Sequence, residues 1–315
     1  MDRRYGGPEY ETLAAFGSDC GIDDLKAIAK ANEMCNRWGL DTISTGATIA
    51  FAMECVERGL LSQADLDGLN LHFGQSQAML AAVELIARRQ GFGDILAEGS
   101  RRAAQKIGHG AEALAMEVKG QECPMHEPRW KQGMGMGYAV SPTGADHNQG
   151  LHDEVYRRPG PSLDEIKALG ILEPLAVDDL SPAKVRMFVY QQHWESLRNC
   201  LVLCMFAPWG YDQVVDLVRG VTGWNSSLWE LLKVGERGTT MARLFNLREG
   251  IGADEDRLPE RFNEGVSSGP LQGVGIDKDK MERAVALYYV MMGWDAQGRP
   301  TPGKLGELGL DWLIS

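Results

Sequence analysis

The sequence lacks several features that mark whole classes of protein. No apolar run reaches about 18 residues, so the sequence predicts no membrane-spanning helix. No apolar segment follows the first residues, so it predicts no signal peptide. Basic residues are the minority, with 32 Lys and Arg against 44 Asp and Glu, and they form no stripe. Because nucleic-acid binding depends on neutralising phosphates, this balance argues against a nucleic-acid-binding protein.

Cysteine is also scarce and scattered. The six cysteines form neither a dense framework nor a C-x-x-C motif, which favours a reducing, cytoplasmic environment over secretion. Glycine is abundant, at 38 of 315 residues, but it is dispersed and marks the ends of elements rather than a low-complexity tract. The length is sufficient for two domains or one large domain.

Hydrophobic residues recur with the helical period of about 3.6 residues. Capping residues support the helix limits: Ser162 with Glu165 and Ser227 with Glu230 fit capping boxes, and Ser181-Pro182 fits a helix start. The predicted helices begin after the turn 21–24 and cover 44–58, 75–90, 94–107, 181–198, 227–248 and 277–292, and one strand is predicted at 114–118. We therefore predict a mainly α protein with two multi-helical domains, residues 1–117 and 118–315.

One segment interrupts this pattern. Residues 119–153 are rich in Gly, Met, Pro and His and show no clear period. A stretch of this length in a compact chain is typically functional or disordered, and its aromatic and Met content argues against disorder. It contains Cys123, His126, His147 and His152, so one interpretation is a metal or cofactor site in an irregular loop. The spacing fits no zinc signature, and incidental histidines in a solvated loop are the alternative.

Three other features have structural interpretations from the residues alone. Residues 36–42 fit a helix C-terminus capped by Gly39. Cys200 and Cys204, four residues apart, fit small buried residues near a helix end, with a cluster thiolate as the alternative. Glu11, a lone acid in a short segment, is typical of a solvated residue at a helix start.

Longer stretches of sequence carry more information than these spacings. They are PEYETL (8–13), GLDTISTG (39–46), GMGMGYA (133–139), SPTGADH (141–147), RLFNLREG (243–250) and LPERF (258–262). In this order they resemble the aldehyde ferredoxin oxidoreductase family of tungsten enzymes, and the resemblance covers nearly the whole chain.

The resemblance implies both a fold and an activity. In that family a β-rich N-terminal domain precedes two helical domains, and two pterin dithiolenes hold tungsten or molybdenum where the domains meet, near a [4Fe–4S] cluster. The chain is therefore expected to be the helical, C-terminal part, with the N-terminal domain on a separate segment or subunit. The implied reaction oxidises a small aldehyde to a carboxylic acid with ferredoxin as electron acceptor. By itself the chain is expected to bind neither tungstopterin nor cluster and to be inactive.

The resemblance also implies cofactor-binding residues. The family's two pterin motifs have the form Asp-x-x-Gly-Leu-(Asp or Cys), and residues 36–41 and 199–204 are similar to the first and the second. The implied pterin-binding residues are Asn36, Gly39, Leu40, Asp41, Asn199 and Leu203. Asn replaces the leading Asp in both motifs, and Val202 replaces the second glycine, which restricts the backbone.

Three further residues match the family's catalytic centre. Cys204 matches one ligand of the cluster, while the C-x-x-C-x-x-x-C run that gives the other three ligands does not occur in this chain. Glu11 and His147 match the acid and the histidine beside the metal, which implies proton transfer to and from the aldehyde and its attacking water.

The family's E-x-x-H motif for a metal-bridged dimer is absent. The cofactor-facing surfaces are expected to be exposed instead, and to include Trp38, Met134, Met136 and Tyr138. Such an apolar patch favours a homodimer by self-association.

Two alternative functions stay open. One is a reductive relative within the family, such as a benzoyl-CoA-reductase-like subunit. The other is a non-catalytic interaction subunit. The Asn replacements and Val202 fit a chain in which cofactor binding is less strictly required.

Overall fold

A computed structural model describes residues 1–313. The fold is mainly α, as predicted, and β1 (Glu117–Val118) pairs antiparallel with β2 (Gln121–Glu122). The helices are α1 (Tyr10–Leu13), α2 (Leu25–Trp38), α3 (Thr42–Glu57), α4 (Ser76–Arg88), α5 (Phe92–Leu96), α6 (Ser100–Ile107), α7 (Gln132–Val140), α8 (Pro161–Ile166), α9 (Pro182–Cys200), α10 (Tyr211–Thr222), α11 (Leu228–Arg248), α12 (Lys278–Met292) and α13 (Pro302–Leu308). None of them, within these residues, is long and apolar enough to cross a membrane.

The chain divides into two compact units. The first unit comprises Met1–His126 with Thr143–Ala145 and Leu258–Arg261. The second comprises Glu127–Pro142, Asp146–Arg257 and the residues from Phe262 onward. These are compact bodies rather than evolutionary domains, so the domain boundary expected after residue 117 stays a prediction.

The first unit is built around α3. Its side chains are buried on several sides, so the helix has no polar face and belongs to the interior of this unit. A π-helical segment, Ala14–Asp19, packs closely on it. Gly46 allows this approach, because a Cβ there would lie only 2.7 Å from the Cβ of Ala15.

Several helix limits differ from the sequence prediction. Asp41, not Ser44, is the N-cap of α3, and its carboxylate accepts a hydrogen bond from the Ser44 N–H at 2.7 Å. The helix expected over 94–107 is two helices, α5 and α6, because Gly99 lies between them with φ of 82°. The capping box expected at Ser162 does not form, since α8 already begins at Pro161.

The second unit is organised by α9 and α11, which pack along each other. Gly235 permits the close crossing, because a Cβ there would lie 2.0 Å from the His193 carbonyl oxygen. The ends of both helices follow the prediction: Ser181 and Pro182 start α9, and Ser227 with Glu230 forms the capping box of α11.

The irregular segment expected over 119–153 contains a helix. All nine residues of α7 are buried, so Met134, Met136 and Tyr138 belong to the interior and not to the exposed surface expected for them. Trp38, in contrast, is exposed as expected.

A buried ion pair holds α7. Asp153 and Lys184 are both fully buried, and the Lys184 ammonium donates to the Asp153 carboxylate. The same carboxylate accepts the Met134 N–H at 2.9 Å, near the N-terminus of α7. Burial raises the pKa of the Asp153 carboxyl, while the Lys184 charge and the backbone N–H groups of Gly133 and Met134 act in the opposite direction.

His193 gives the second unit a pH-dependent stability. Its side chain is buried on α9, with Nε2 lacking a hydrogen-bond partner, and it faces the charges of Glu236, Lys233, Lys304 and Glu307. Burial lowers the pKa of His193 from 6.5 to about 4. The unfolded chain therefore binds this proton below pH 6.5 and the folded chain only near pH 4. Stability should fall as the pH drops through this window, by about 3 kcal/mol in total.

Urea unfolding at a series of pH values between 7 and 4 measures this effect. The variant His193→Gln should show a clearly flatter dependence, because it removes the titrating group. The pKa values of Glu236 and Glu307 are also lowered in the folded chain, that of Glu307 to about 2. Protonation of these two carboxylates therefore also reduces stability, but mainly below pH 4.5. Parallel curves for the variant and the parent protein would show that His193 does not control this window.

Candidate functional site

Glu11 lies in the first unit, in the short helix α1, and it is only 3% exposed. The interpretation of Glu11 as a solvated residue is therefore wrong. Its Oε2 accepts the Met125 N–H at 2.8 Å, and its Oε1 lies 3.0 Å from Nε2 of His126. The Tyr10 hydroxyl donates to the Met125 carbonyl at 2.7 Å, which fixes the same two segments together. The carboxyl group is thus held in one place beside a basic group, as a proton-transfer residue requires.

The sequence indicated His126 only as one of several histidines, and it contains no local pattern that predicts the contact with Glu11. A cavity of about 180 Å³ also lies in the first unit, lined by residues that include Asp19, Glu54, Glu122, Cys123 and Arg261. Asp19 lines this cavity and also retains exposed surface. Desolvation, and secondarily the Glu11 charge, raise the pKa of Asp19 to about 6.

The first pterin-like motif lies at the end of α2. Gly39 is left-handed, with φ of 72°, and the Leu40 N–H donates to the Cys35 carbonyl at 2.9 Å. Asn36 is exposed, and its Nδ2 donates to the carbonyl and the side-chain oxygen of Asn32. Its own Oδ1 remains as an acceptor at the surface.

The second motif repeats this geometry at the end of α9. Val202 is left-handed, with φ of 57°, and the Leu203 N–H donates to the Arg198 carbonyl at 2.9 Å. Asn199 is exposed, in the position that Asn36 takes in the first motif. Val202 therefore takes the same left-handed conformation as Gly39. A β-branched residue thus lies in a conformation that strongly favours glycine.

This conformation predicts a stability gain for Val202→Gly. The left-handed region costs an L-residue about 1–2 kcal/mol, and the 91% exposed side chain loses little packing when it is removed. Because glycine also gains entropy in the unfolded chain, the net gain should be near 1 kcal/mol, measured by urea unfolding.

The matched control is Gly39→Val, which places the same side chain in the equivalent turn. It should lower the free energy of unfolding by a similar amount or more. A Val202→Gly protein that is less stable than its parent would show that the turn at Val202 is not strained.

Both cysteines near this turn are exposed free thiols. Their interpretation as small buried residues is therefore wrong, and the cluster-ligand interpretation of Cys204 is left open. The Cys204 carbonyl accepts a hydrogen bond from the Arg198 guanidinium at 2.9 Å, so the segment that carries this thiol is anchored to α9.

His147 lies in the second unit, in the loop that follows α7, and is half-buried. Its ring is edge-on to that of His152, with centroids 6.3 Å apart, and its carbonyl lies 3.1 Å from the His152 Nε2. Oε1 of Glu154 lies 2.7 Å from Nζ of Lys131, the residue before α7. The same oxygen lies 4.0 Å from Nδ1 of His152. Charge pairing with Lys131 holds the pKa of Glu154 below its ordinary value, against the opposing effect of burial. The loop is thus ordered by polar contacts within the unit.

The helical fold agrees with the resemblance seen in the sequence. Residues 1–310 match a family model described as aldehyde ferredoxin oxidoreductase, domains 2 and 3. The chain belongs to this family, and the resemblance seen in the sequence is confirmed.

Curated relatives agree with this assignment. The chain is 38% identical to the tungsten-containing aldehyde ferredoxin oxidoreductase of Pyrococcus horikoshii, over 97% of this chain and 49% of that protein. It is 37% identical to the protein of the same name from Pyrococcus furiosus, over 96% and 48%. An aliphatic sulfonate oxidoreductase, WOR-like subunit, from Pyrococcus furiosus is 29% identical over 96% and 46%. The chain therefore spans about half the length of the curated relatives it matches.

A solved structure supports the fold. The active site complex BamBC of benzoyl coenzyme A reductase, in complex with 1,5-dienoyl-CoA, superimposes with a TM-score of 0.72 over 96% of this chain and 48% of that chain. The sequence identity is 22%, and at this level the likeness shows the fold alone.

Proposed function

We propose that this chain supplies the helical half of a tungsten site in an enzyme that oxidises aldehydes and passes the electrons to ferredoxin. The observation that carries the proposal is the pair of equivalent turns at residues 36–41 and 199–204. Each presents an exposed asparagine amide one helical turn before a left-handed residue, at the positions of the family's two pterin motifs. The tungsten-containing relatives, at up to 38% identity, support the same assignment.

The residues of the first turn fit a pterin. The aminopyrimidine edge of a pterin offers N–H donors, and the Oδ1 of Asn36 is an exposed acceptor whose amide is oriented by Asn32. Gly39 places backbone beside it without a side chain. The Asp41 carboxylate already accepts the Ser44 N–H, so we assign it a role in holding this turn as well as in the pterin contact.

The second turn fits as well. Asn199 is exposed, and Leu203 follows the left-handed Val202 in the same hydrogen-bonding pattern as Leu40. We propose that Asn199 and Leu203 contact the second pterin. Cys204 would give one thiolate to a [4Fe–4S] cluster, and the remaining thiolates would come from outside the residues described here.

The chemistry divides between cofactor and protein. When bound, tungstopterin would supply the two-electron oxidation: an aldehyde and water give a carboxylic acid, two protons and two electrons, and the cluster passes the electrons to ferredoxin. The protein would manage the protons. Glu11, held by the Met125 N–H, would accept a proton from the attacking water, and His147 would exchange a proton with the aldehyde oxygen.

The test uses this chain copurified with the protein segment that supplies the N-terminal half, from cells given tungstate. We expect aldehyde-dependent reduction of ferredoxin that disappears when the cells are grown without tungstate. An active complex with no tungsten requirement, or a tungsten-loaded complex that reduces a substrate but oxidises no aldehyde, would contradict the proposal. The second result would favour the reductive alternative.

A further inference from the structure

A cavity of about 490 Å³ opens in the second unit beside α9. Its walls come from one face of that helix, from α8, from the segment that carries His152 and Tyr156, and from residues 205–211. The volume is in the range of small-molecule sites, about 300–1,000 Å³. All residues that line the cavity belong to the second unit, so the first unit contributes nothing to its walls.

Aromatic side chains form much of the wall. Five of the lining residues are Tyr, Trp or Phe: Tyr156, Trp194, Phe206, Trp209 and Tyr211. The Trp194 and Tyr211 rings meet with centroids 4.3 Å apart and planes at 59°, so they form a corner rather than a stack. Phe206 and Trp209 are exposed, which leaves their rings accessible to a ligand. Aromatic rings gathered around one space attract organic cations, because each ring face carries partial negative charge.

The wall also carries a carboxylate without a counter-charge. Glu165, near the end of α8, lines the cavity and is exposed. Its Oε1 lies 3.3 Å from the position that a Cβ on Gly210 would take, beside the backbone that joins Trp209 to Tyr211. Among residues 1–313 the Glu165 side chain makes no hydrogen bond and no ion pair. Its negative charge is therefore available to a ligand.

The other charged groups of the wall compensate each other. The Arg198 guanidinium lies 3.3 and 3.4 Å from the two Glu195 carboxylate oxygens, and it donates to the Cys204 carbonyl at 2.9 Å. No lysine occurs among the lining residues, all of which the structure describes. The charge of Glu165 is therefore in excess, and the cavity favours a positively charged ligand.

The tyrosine hydroxyls show that both carboxylates act on the aromatic wall. Burial raises the pKa of Tyr156 and of Tyr211 above the ordinary range, and the charges of Glu165 and Glu195 add to this effect. The two hydroxyls therefore stay neutral, and the field that opposes their ionisation would attract a cation to the same space.

We propose that this cavity binds a quaternary ammonium group, which lies among the aromatic rings and has Glu165 as its counter-charge. A quaternary ammonium has no N–H, so ring faces and one carboxylate are sufficient to bind it. A primary ammonium is strongly hydrated and brings three donors that need acceptors, which an aromatic wall supplies poorly. The binding depends only on residues of this chain and does not rest on the proposed function.

The probes are choline and 3,3-dimethylbutan-1-ol, which have the same shape and differ in the charge of one atom. Each is titrated against the purified chain by calorimetry, at constant ionic strength and at pH 8 to keep histidine side chains neutral. We expect choline to bind about tenfold more tightly than the neutral alcohol. Equal affinities, or tighter binding of the alcohol, would overturn the proposal.

Ethanolamine separates the quaternary group from positive charge in general. It carries the same charge as choline on a primary ammonium, and we expect it to bind more weakly than choline. If ethanolamine bound as tightly as choline or more tightly, hydrogen bonding would dominate and the assignment to a quaternary ammonium would be wrong.

Two variants test the residues that carry the proposal, both at exposed positions where folding should be little affected. Glu165→Gln should lower the affinity for choline about fourfold, the scale of one nearby charge in water, and leave the neutral alcohol unchanged. Trp209→Leu keeps an apolar side chain but removes a ring, so it should lower the ratio of choline to alcohol affinity about threefold.

Glu173→Gln is the matched control, because this exposed acid lies outside the cavity lining. It should leave the affinities for choline and for the alcohol unchanged. A ratio that survives in both Glu165→Gln and Trp209→Leu, or that falls equally in Glu173→Gln, would show that choline does not bind in this cavity.

Discussion

Glu11→Gln should lower the kcat of the tungsten-loaded complex by about 10²- to 10⁴-fold, the usual contribution of a general acid or base. Glutamine retains an oxygen that can accept the Met125 N–H, so the position of the side chain should be preserved. It cannot take up a proton, so proton transfer alone should be lost. The measurement is the rate of aldehyde-dependent ferredoxin reduction, together with the tungsten content, which should not change.

Glu9→Gln is the matched control for this experiment. Glu9 precedes α1, is exposed and makes no side-chain cap to the helix, so its variant should keep the parent rate. A Glu11→Gln complex within about threefold of the parent rate would remove Glu11 from the chemistry. If the Glu11→Gln complex lost tungsten together with its rate, Glu11 would have a structural role in cofactor retention.

Lys184→Met should cause the largest loss of stability, about 3–5 kcal/mol, because it leaves the Asp153 carboxylate buried without its charge partner. The same carboxylate receives the Met134 N–H near the start of α7, so this helix should loosen first. Urea unfolding gives the overall change, and hydrogen exchange at residues 132–140 locates it.

Two further variants distinguish the effect of leaving a buried charge unpaired from the effect of removing a lysine. Lys167→Met breaks the exposed pair with Asp164 and should cost less than about 1 kcal/mol. Asp153→Asn combined with Lys184→Met removes both charges and should recover much of the loss. A loss below 1 kcal/mol for Lys184→Met alone would show that Asp153 is neutral or reached by water.

Helix ends were predictable where the signal is local. The Ser181-Pro182 start of α9 and the capping box of Ser227 and Glu230 each involve residues within one turn of the helix start. Such contacts depend on neighbouring residues alone, so the sequence contains all the information needed to place them.

The helix α7 could not be predicted because it has no polar face. Its nine buried residues include three glycines, which disfavour a helix when considered alone. Packing decides its structure: a Cβ at Gly137 would lie 2.9 Å from the Phe188 ring, and one at Gly133 would lie 2.5 Å from Asp153. Small residues are required by neighbours that are distant in the sequence.

The candidate site also combines features that depend on local sequence with contacts between residues distant in the sequence. The motif positions 36–41 and 199–204 were named from the resemblance to the family, and the residues alone predicted only the helix end at Gly39, where the signal is local. The contact of Glu11 with the segment of Met125 and His126 joins residues 114 positions apart, and no local pattern encodes it. The exposure of Cys200 and Cys204 also depends on what the rest of the unit leaves uncovered.

The most direct test of the account is the tungsten and iron content of this chain, copurified with the protein segment that supplies the N-terminal half. We expect about one tungsten and about four iron atoms per complex, with the iron lost in Cys204→Ala and kept in Cys200→Ala. The double variant Asn36→Ala and Asn199→Ala should lose tungsten. A parent complex without tungsten, or variants that retain the full metal content, would contradict the claim that these helices hold the metal cofactor.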